Sequence, residues 1–178
     1  MRSSLNSAVV ESIIGAAIEI DSREFRRVLS HLPTGVTVIT AFSADGPVGM
    51  AANSVTSVSL EPPLVLICPA KSSETWPRIA ESGSFCVNVL GGQHEELARA
   101  FAAKSGDRFA GVSFVDRPTG PALNDAVAWI ECVIDDEHDA GDHTIVVARV
   151  VAMEASGPLE PLVFYRGQYG SFQAPRMT

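Results

Sequence analysis

Four short runs rich in Val, Ile and Thr follow one another in the first half of the chain, at residues 35–42, 48–52, 55–60 and 64–68. β-Branched residues favour extended backbone, and runs of this length are typical of strands. Asp45, Gly46 and Pro47 separate the first two runs, and Pro62 and Pro63 separate the last two, as turn residues do. We therefore expect strands to dominate the fold.

The rest of the chain adds more strands and a few helices. Apolar runs predict strands at 85–90, 127–134, 144–153 and 162–165, and helical spacing predicts helices at 21–32, 75–83 and 93–103. Residues 104–124 read as a long surface connection, and the polar residues 135–143 separate the two longest strands. A doubly wound sheet fits poorly, because strands and helices do not alternate regularly. The pattern favours a mainly β chain, as a closed or nearly closed antiparallel barrel with peripheral helices.

The length of the chain sets the number of domains. With 178 residues, 46% of them hydrophobic, we expect one domain. Residues 1–20 are predicted to be an N-terminal arm or helix, with neither a clear cleavage site nor an apolar run near the roughly 20 residues that span a bilayer. We expect no membrane partner.

Charge and cysteine content narrow the class further. Thirteen basic residues against 21 acidic ones give a net charge of -8, which makes a nucleic acid an unfavourable partner. The three cysteines, Cys68, Cys86 and Cys132, are odd in number and far apart, so neither a zinc motif nor a disulfide framework is indicated. A reducing cytoplasm fits best.

Two polar clusters are candidates for a ligand site. The first is a set of small side chains between two apolar strands: Asn53, Ser54, Thr56, Ser57 and Ser59. Such residues let a planar ligand approach the backbone, but an ordinary polar strand and turn explains them as well, and the segment by itself favours that explanation. The second comprises Lys71, Ser72, Ser73 and Thr75 before the predicted short helix. It suits a phosphate as well as it suits a solvated loop in which Ser73 or Thr75 caps the helix.

Histidines and aromatic residues supply further candidates. His143 follows Gly141 and Asp142 at the start of a long strand, where it could face the mouth of a barrel or simply lie on the surface. His138 with the nearby aspartates makes a weak case for a metal, so we predict none. Six aromatic residues could stack on a flat ring, although most should be core: Trp76, Phe101, Phe109, Trp129, Tyr165 and Tyr169.

Six stretches of the chain, arranged in the same order as in the family, resemble the flavin reductase-like family. Its members supply reduced flavin to two-component monooxygenases. The resemblance runs from about residue 21 to residue 169. The stretches are PTGVTVIT at 33–40, VGMAANSVTSVSLEPPLVLIC at 48–68, FCVNVL at 85–90, DRFAGV at 107–112, GDHTIVVARV at 141–150 and PLVFYRGQYG at 161–170.

This resemblance implies a split β-barrel of Greek-key-like antiparallel strands over residues 21–172, assembled as a homodimer with the flavin near the subunit interface. It implies that Thr37, Thr40, Ala52, Asn53 and Ser54 line the edge of the isoalloxazine ring, and that Ser59, Lys71, Ser72 and Thr75 hold the phosphate. Phe101 and Arg108 would lie near the flavin tail, and His143 and Tyr169 would face the nicotinamide. No catalytic residue is strictly required, because the hydride passes between the two cofactors, with His143 orienting the nicotinamide.

The sequence leaves the details of this chemistry open. FMN is favoured over FAD by a small margin, and NADH and NADPH are not separated, since no dinucleotide fingerprint is present. The alternatives are a protein of the same barrel that retains its flavin as a sensor or store, or one that reduces another acceptor such as a quinone. A partner-binding protein with no flavin at all is the third reading.

Overall fold

The computed structural model describes residues 20–156 and 160–173. Twelve strands and three α-helices are seen there, so the mainly β prediction is confirmed. The helices are α1 (Ser22–Leu29), α2 (Trp76–Glu81) and α3 (Glu95–Ala102), the last preceded by a 3₁₀ turn (Gly92–His94). The strands are β1 (Thr34–Gly35), β2 (Thr37–Ser43), β3 (Gly46–Ala52), β4 (Thr56–Leu60), β5 (Pro63–Ile67), β6 (Ser84–Val89), β7 (Phe114–Arg117), β8 (Gly120–Leu123), β9 (Ala128–Ala140), β10 (His143–Ala155), β11 (Leu162–Tyr165) and β12 (Gln168–Ser171).

A seven-stranded antiparallel sheet forms the body of the fold, in the order β3-β2-β6-β9-β10-β5-β4. It wraps around a cluster of buried apolar side chains that we call the barrel core, to which most of its strands and α2 contribute. Ile39, Phe85, Val87 and Val146 are among the fully buried members. Burial of these side chains is the main stabilising contribution to such a sheet. The fold is a split β-barrel, as the resemblance implies.

A second apolar cluster, the flanking core, lies on the other face of β2. Its members include Val38 of β2, Phe101 of α3 and Leu162 of β11, and the short sheet β1-β11-β12 supplies part of its cover. Because β2 has a core on each face, five consecutive residues from Thr37 onward are buried. A continuous apolar run rather than an alternating one is the expected pattern for a strand covered on both faces.

Two segments differ from the sequence prediction. The polar residues 135–143 are not a connection, since β9 and β10 continue through them and meet at a two-residue turn, where Gly141 has φ of 72°. Backbone pairing within the hairpin holds this polar stretch in strands without burial, and charge pairs such as Arg149 with Asp135 support it. The predicted surface connection at 104–124 contains the hairpin β7-β8, whose strand β8 is buried.

The described N-terminal part begins at Ile20 and contains α1, in a compact unit that ends at Leu32. Asp21 caps this helix by accepting a hydrogen bond from the Arg23 amide at 3.1 Å. This agrees with the predicted helix start. The predicted arm at residues 1–20 lies outside the described residues except for Ile20. None of the helices in the described ranges is long and apolar enough to cross a bilayer.

Candidate functional site

A cavity of about 880 Å³ opens beside β3 and is the candidate functional site. Its walls come from β3, the segment 70–75 before α2, the C-terminal end of α3 and the loop 106–109 that follows. Four of the residues predicted to bind a cofactor line it, namely Ser72, Thr75, Phe101 and Arg108. A volume of this size matches cofactor-sized ligands.

Arg108 forms hydrogen bonds to three walls of this cavity. Its Nη1 donates to the carbonyl oxygen of Gly49 at 2.8 Å and to the hydroxyl of Thr75 at 2.6 Å. Its Nε and Nη2 donate to the carbonyl oxygen of Ala103 at 3.1 and 2.6 Å. A guanidinium has five N–H donors, so these four bonds leave one for a ligand. The fixed fork places a positive charge against the Thr75 side of the cavity.

Hydroxyl and ammonium groups complete a polar rim. Ser72 and Lys104 line the cavity, and neither side chain bonds to any other residue in the described ranges, so both are available to an anion. Ser73 instead accepts hydrogen bonds from the amides of Thr75 and Trp76 at 3.3 and 3.1 Å. It is therefore Ser73 that caps the short helix, and the hydroxyl of Thr75 is left to Arg108.

Lys71 lies next to this rim but is not part of the cavity wall. Its ammonium pairs with the carboxylate of Asp139 on β9, and this contact holds the pKa of Asp139 below its ordinary value. Both side chains are largely exposed. Lys71 would have to exchange this carboxylate for a phosphate in order to act as predicted.

The apolar wall of the cavity depends on a close approach. Phe101 packs against Gly49, where an added Cβ would lie only 2.8 Å from Phe101 Cε1. Phe101 meets Phe109 edge to face with ring centroids 5.1 Å apart, and Phe109 meets Phe114 at 5.6 Å. This row of rings fixes the loop that carries Arg108, since aromatic pairs prefer such geometry.

Two residues predicted to line the ligand site instead form hydrogen bonds inside the protein. Thr40 has no exposed surface, and its hydroxyl donates to the carbonyl oxygen of Pro121 at 2.6 Å and accepts from Asn88 at 3.0 Å. Thr37 is buried and donates to the carbonyl oxygen of Ala52 at 2.7 Å. Both hydroxyls hold strands together, and we leave Thr40 out of the proposed site.

The predicted residues around the turn after β3 lie outside the cavity wall. Asn53 is exposed, while Ala52, Ser54 and Ser59 are half-buried. The hydroxyl of Ser54 accepts a hydrogen bond from the amide of Cys68 at 3.0 Å, which joins the turn to the end of β5. Because β3 runs from the cavity directly into this turn, these side chains continue its edge.

His143 and Tyr169 lie apart from one another. His143 is the first residue of β10, bridges to Ala70 at the cavity edge, and has its Nδ1 2.7 Å from a carboxylate oxygen of Asp142. Tyr169 lines a second, largely apolar cavity of about 730 Å³. One face of its ring is covered by the guanidinium of Arg99 at 4.8 Å. The described part of one chain thus brings His143, but not Tyr169, to the edge of the first cavity.

The buried cysteines take no part in this site. Burial raises the pKa of both Cys86 and Cys132 to about 12. A thiolate is the reactive form of cysteine, so neither group is a nucleophile at neutral pH.

Several lining residues were not foreseen from the sequence. Gly49, Arg78 and Lys104 have no distinguishing motif, and only the fold brings them together. Phe109 was among the aromatic candidates, and its place in the wall agrees with that choice. Within the described residues, no group of three or more His, Cys, Asp or Glu side chains is arranged to hold a metal ion.

The fold and cavity define a split-barrel protein with a pocket beside β3 that has a polar rim and an apolar wall. A family model described as flavin reductase like domain matches residues 29–173. The chain is 44% identical to a flavin reductase from Pseudomonas putida, over 93% of this chain and 98% of that one. It is also 44% identical to the reductase subunit of a flavin-dependent monooxygenase from Rhodococcus jostii, over 86% and 80% of the two chains.

A solved structure supports the same relationship. The NADH:FAD oxidoreductase of Streptomyces globisporus, crystallised with NAD and FAD fragments, superposes with a TM-score of 0.82 at 39% identity, covering 91% of this chain and all of that one. This protein therefore belongs to the flavin reductase-like family, and the resemblance read from the sequence is confirmed.

Proposed function

We propose that this chain is an NAD(P)H-dependent flavin reductase that supplies reduced FMN or FAD to a separate monooxygenase. The observation that carries the proposal is the Arg108 and Thr75 pair beside the free hydroxyl of Ser72, in a cavity whose other wall is the aromatic side chain of Phe101. Hydroxyls with a guanidinium suit a phosphate, and an apolar wall suits the flavin body. When both cofactors are bound, the hydride moves from nicotinamide C4 to flavin N5.

The residues present fit this cofactor. We assign the flavin phosphate to Ser72, Thr75 and the free N–H of Arg108, with Lys104 and Lys71 adding charge from the rim. The ring would extend along β3 toward Ala52, Asn53 and Ser54, where small side chains allow a flat group to approach the backbone. Ser59 lies on β4, the other edge strand of the sheet, and its contact with the phosphate stays a prediction. The proposed domain covers residues 21–172.

His143 has a role in positioning the second cofactor. It lies at the cavity edge through its bridge to Ala70, and its contact with Asp142 orients the imidazole. Such a ring can hold the nicotinamide against the flavin, and close stacking is what hydride transfer needs. The chain itself supplies no acid or base to the reaction.

We further propose that the working form is a homodimer. Large apolar side chains remain exposed on the edge strand β4 and on β10, with Leu60 at 85% and Met153 at 72% exposed. These two strands flank β5 in the sheet. Exposed apolar groups on strands of one sheet are typical of a protein interface, and a two-fold pair is the commonest soluble assembly. The chain's own Tyr169 does not line the first cavity. In a homodimer, the Tyr169 of the second copy would be the one that reaches it.

The remaining partners follow from the relatives. One is named as a reductase subunit of a flavin-dependent monooxygenase, and another as an NADH:FAD oxidoreductase. We therefore propose NADH as the reductant and a separate oxygenase as the recipient of reduced flavin. Three free cysteines, two of them buried, suit a reducing cytoplasm.

The test is oxidation of nicotinamide under air, with FMN, FAD or no flavin compared for NADH and for NADPH. Flavin-dependent turnover with release of reduced flavin supports the proposal. Turnover that needs no added flavin, because the protein retains its own, would favour reduction of another acceptor. Flavin binding without any nicotinamide oxidation would favour a store or sensor and would contradict the proposal.

A further inference from the structure

The cavity continues past the residues proposed to hold the flavin phosphate, and Arg78 forms part of this continuation. Arg78 lies on α2, three residues after Thr75, so the two side chains share a face of the helix start. The inference below rests on the proposed function, because it concerns the part of the flavin that this region would meet.

The order of groups along β3 gives the cavity a direction. Ala51 and Ala52 lie at the end near the proposed ring site, and the carbonyl of Gly49 bonds to Arg108 beside the proposed phosphate site. Pro47 lies two residues farther on, about 7 Å beyond Gly49 at the rise of a strand. FMN ends at its single phosphate, whereas FAD continues from that phosphate into an adenylate. Only the longer flavin would reach Pro47.

Arg78 is held at this far end by the turn that joins β2 and β3. Its Nη2 donates to the hydroxyl of Ser43 at 3.0 Å and lies 3.5 Å from a carboxylate oxygen of Asp45. Both contacts use the same nitrogen, and no described residue bonds to Nε or Nη1. Three N–H donors therefore remain for a ligand on a guanidinium that is already oriented.

We propose that Arg78 binds the adenylate half of FAD and makes this chain prefer FAD to FMN, the reverse of the small preference drawn from the sequence. The guanidinium would donate to the second phosphate, and Pro47, which lines the same cavity, would contact the adenine. Arginine suits the phosphate contact, because it forks onto phosphate oxygens. The pairing with Ser43 reduces the entropy lost when the ligand binds.

An adenylate could also come from NADH, which carries the same chemical group. The two sources are separated by measuring flavin binding without NADH, and by measuring the KM for NADH with FMN as the flavin. Loss of FAD affinity alone places the adenylate of the flavin at Arg78. A rise in the KM for NADH alone would place the nicotinamide cofactor there and would overturn the proposal.

The experiment compares the dissociation constants for FAD and FMN, by quenching of flavin fluorescence, in the wild type and in Arg78→Ala. We expect the ratio of the FAD constant to the FMN constant to rise about tenfold, the effect of losing one charge-assisted hydrogen bond. Ser43→Ala, which frees the guanidinium without removing it, should move the ratio in the same direction by less. Arg149→Ala, whose partner is Asp135 on the β9-β10 hairpin, is the matched control and should leave the ratio unchanged.

The outcomes separate this inference from the function on which it rests. If the wild type binds neither flavin, the proposed function fails. If the wild type binds both but the ratio is the same in Arg78→Ala, the inference alone fails. A thermal melt of each variant shows whether the fold is intact, and if Arg78→Ala is unfolded, the ratio in Ser43→Ala decides.

Discussion

The guanidinium of Arg108 donates to the hydroxyl of Thr75 at 2.6 Å, joining two segments that are 33 residues apart in the sequence. Through the same nitrogen it also bonds the backbone of β3 at Gly49. One side chain thus sets the distance between the strand and the start of α2, and with it the width of the proposed phosphate site. Arg108 therefore belongs both to the proposed phosphate site and to the packing that supports it.

Arg108→Lys should weaken flavin binding even though the charge is kept. A lysine ammonium is a point charge without the planar fork, so it cannot reach Gly49, Thr75 and Ala103 together. We expect the dissociation constant for FMN to rise about tenfold and the melting temperature to fall by about 3 °C. Fluorescence titration and a thermal melt measure both effects. Arg149→Lys is the control, and an unchanged dissociation constant would remove Arg108 from the site.

His143→Ala should raise the KM for NADH about fivefold, because the imidazole proposed to hold the nicotinamide is lost. The dissociation constant for flavin should change less, since the phosphate site lies elsewhere in the cavity. His138→Ala is a matched control on the same hairpin, where the imidazole of His138 lies 3.4 Å from a carboxylate oxygen of Asp136. Stopped-flow reduction of bound flavin at several NADH concentrations gives the affinity and the rate. If neither changes, His143 has no part in the reaction.

Asn88→Ala should destabilise the fold by about 2–4 kcal/mol. Asn88 has no exposed surface, and its side-chain amide donates to Thr40 at 3.0 Å and accepts from the amide of Leu123 at 2.7 Å. Its removal takes the acceptor from the buried amide of Leu123 on β8 and one donor from the hydroxyl of Thr40 on β2. Urea unfolding measures the free energy of unfolding. Asn53→Ala, at an exposed position, should stay within about 0.5 kcal/mol of the wild type, and an equally small effect of Asn88→Ala would contradict the assignment.

Stability should fall below neutral pH partly because of His94. Burial lowers the pKa of this imidazole from its ordinary 6.5, and its Nδ1 accepts a hydrogen bond from the amide of Gly91 at 3.2 Å. The unfolded chain therefore binds a proton more readily than the folded one. The contribution of His94 is complete above about pH 6.5 and is lost as the pH falls toward the lower folded pKa.

His94→Gln tests this dependence, because glutamine retains a hydrogen-bond acceptor but does not titrate. The free energy of unfolding at pH 7.5 minus that at pH 5.5 should be smaller in the variant than in the wild type. Equal differences in the two proteins would show that other groups cause the loss of stability.

The sequence predicts local elements well and distant contacts poorly. The runs around Ile39 and Val87 become strands as expected, because β-branched and apolar residues in short stretches have few other stable arrangements. The pairing of polar residues 135–143 was missed, since it depends on backbone bonds between β9 and β10 rather than on burial.

In the candidate site too, residues close together in the sequence could be predicted as a group, whereas contacts between distant segments could not. The neighbours of Ser72 and Thr75 in the chain were enough to predict a phosphate site there, beside the equally weighted reading of a solvated loop. The partners of Arg108 could not be predicted, because Gly49 lies 59 residues away and nothing in either segment indicates the other. Thr40 was placed at the flavin from the resemblance alone, whereas its hydroxyl is buried against Pro121.

Gly49 determines how far this cavity tolerates change. A single methyl group there would meet Phe101 Cε1 at 2.8 Å and the carbonyl oxygen of Ile39 at 3.1 Å. The strand oxygen cannot move without breaking the sheet, so the ring of Phe101, which also lines the cavity, would have to shift. Gly49→Ala is thus the smallest change that would narrow the pocket for a smaller flavin. A wider pocket would instead require a smaller side chain in place of Phe101, with the strand left unchanged.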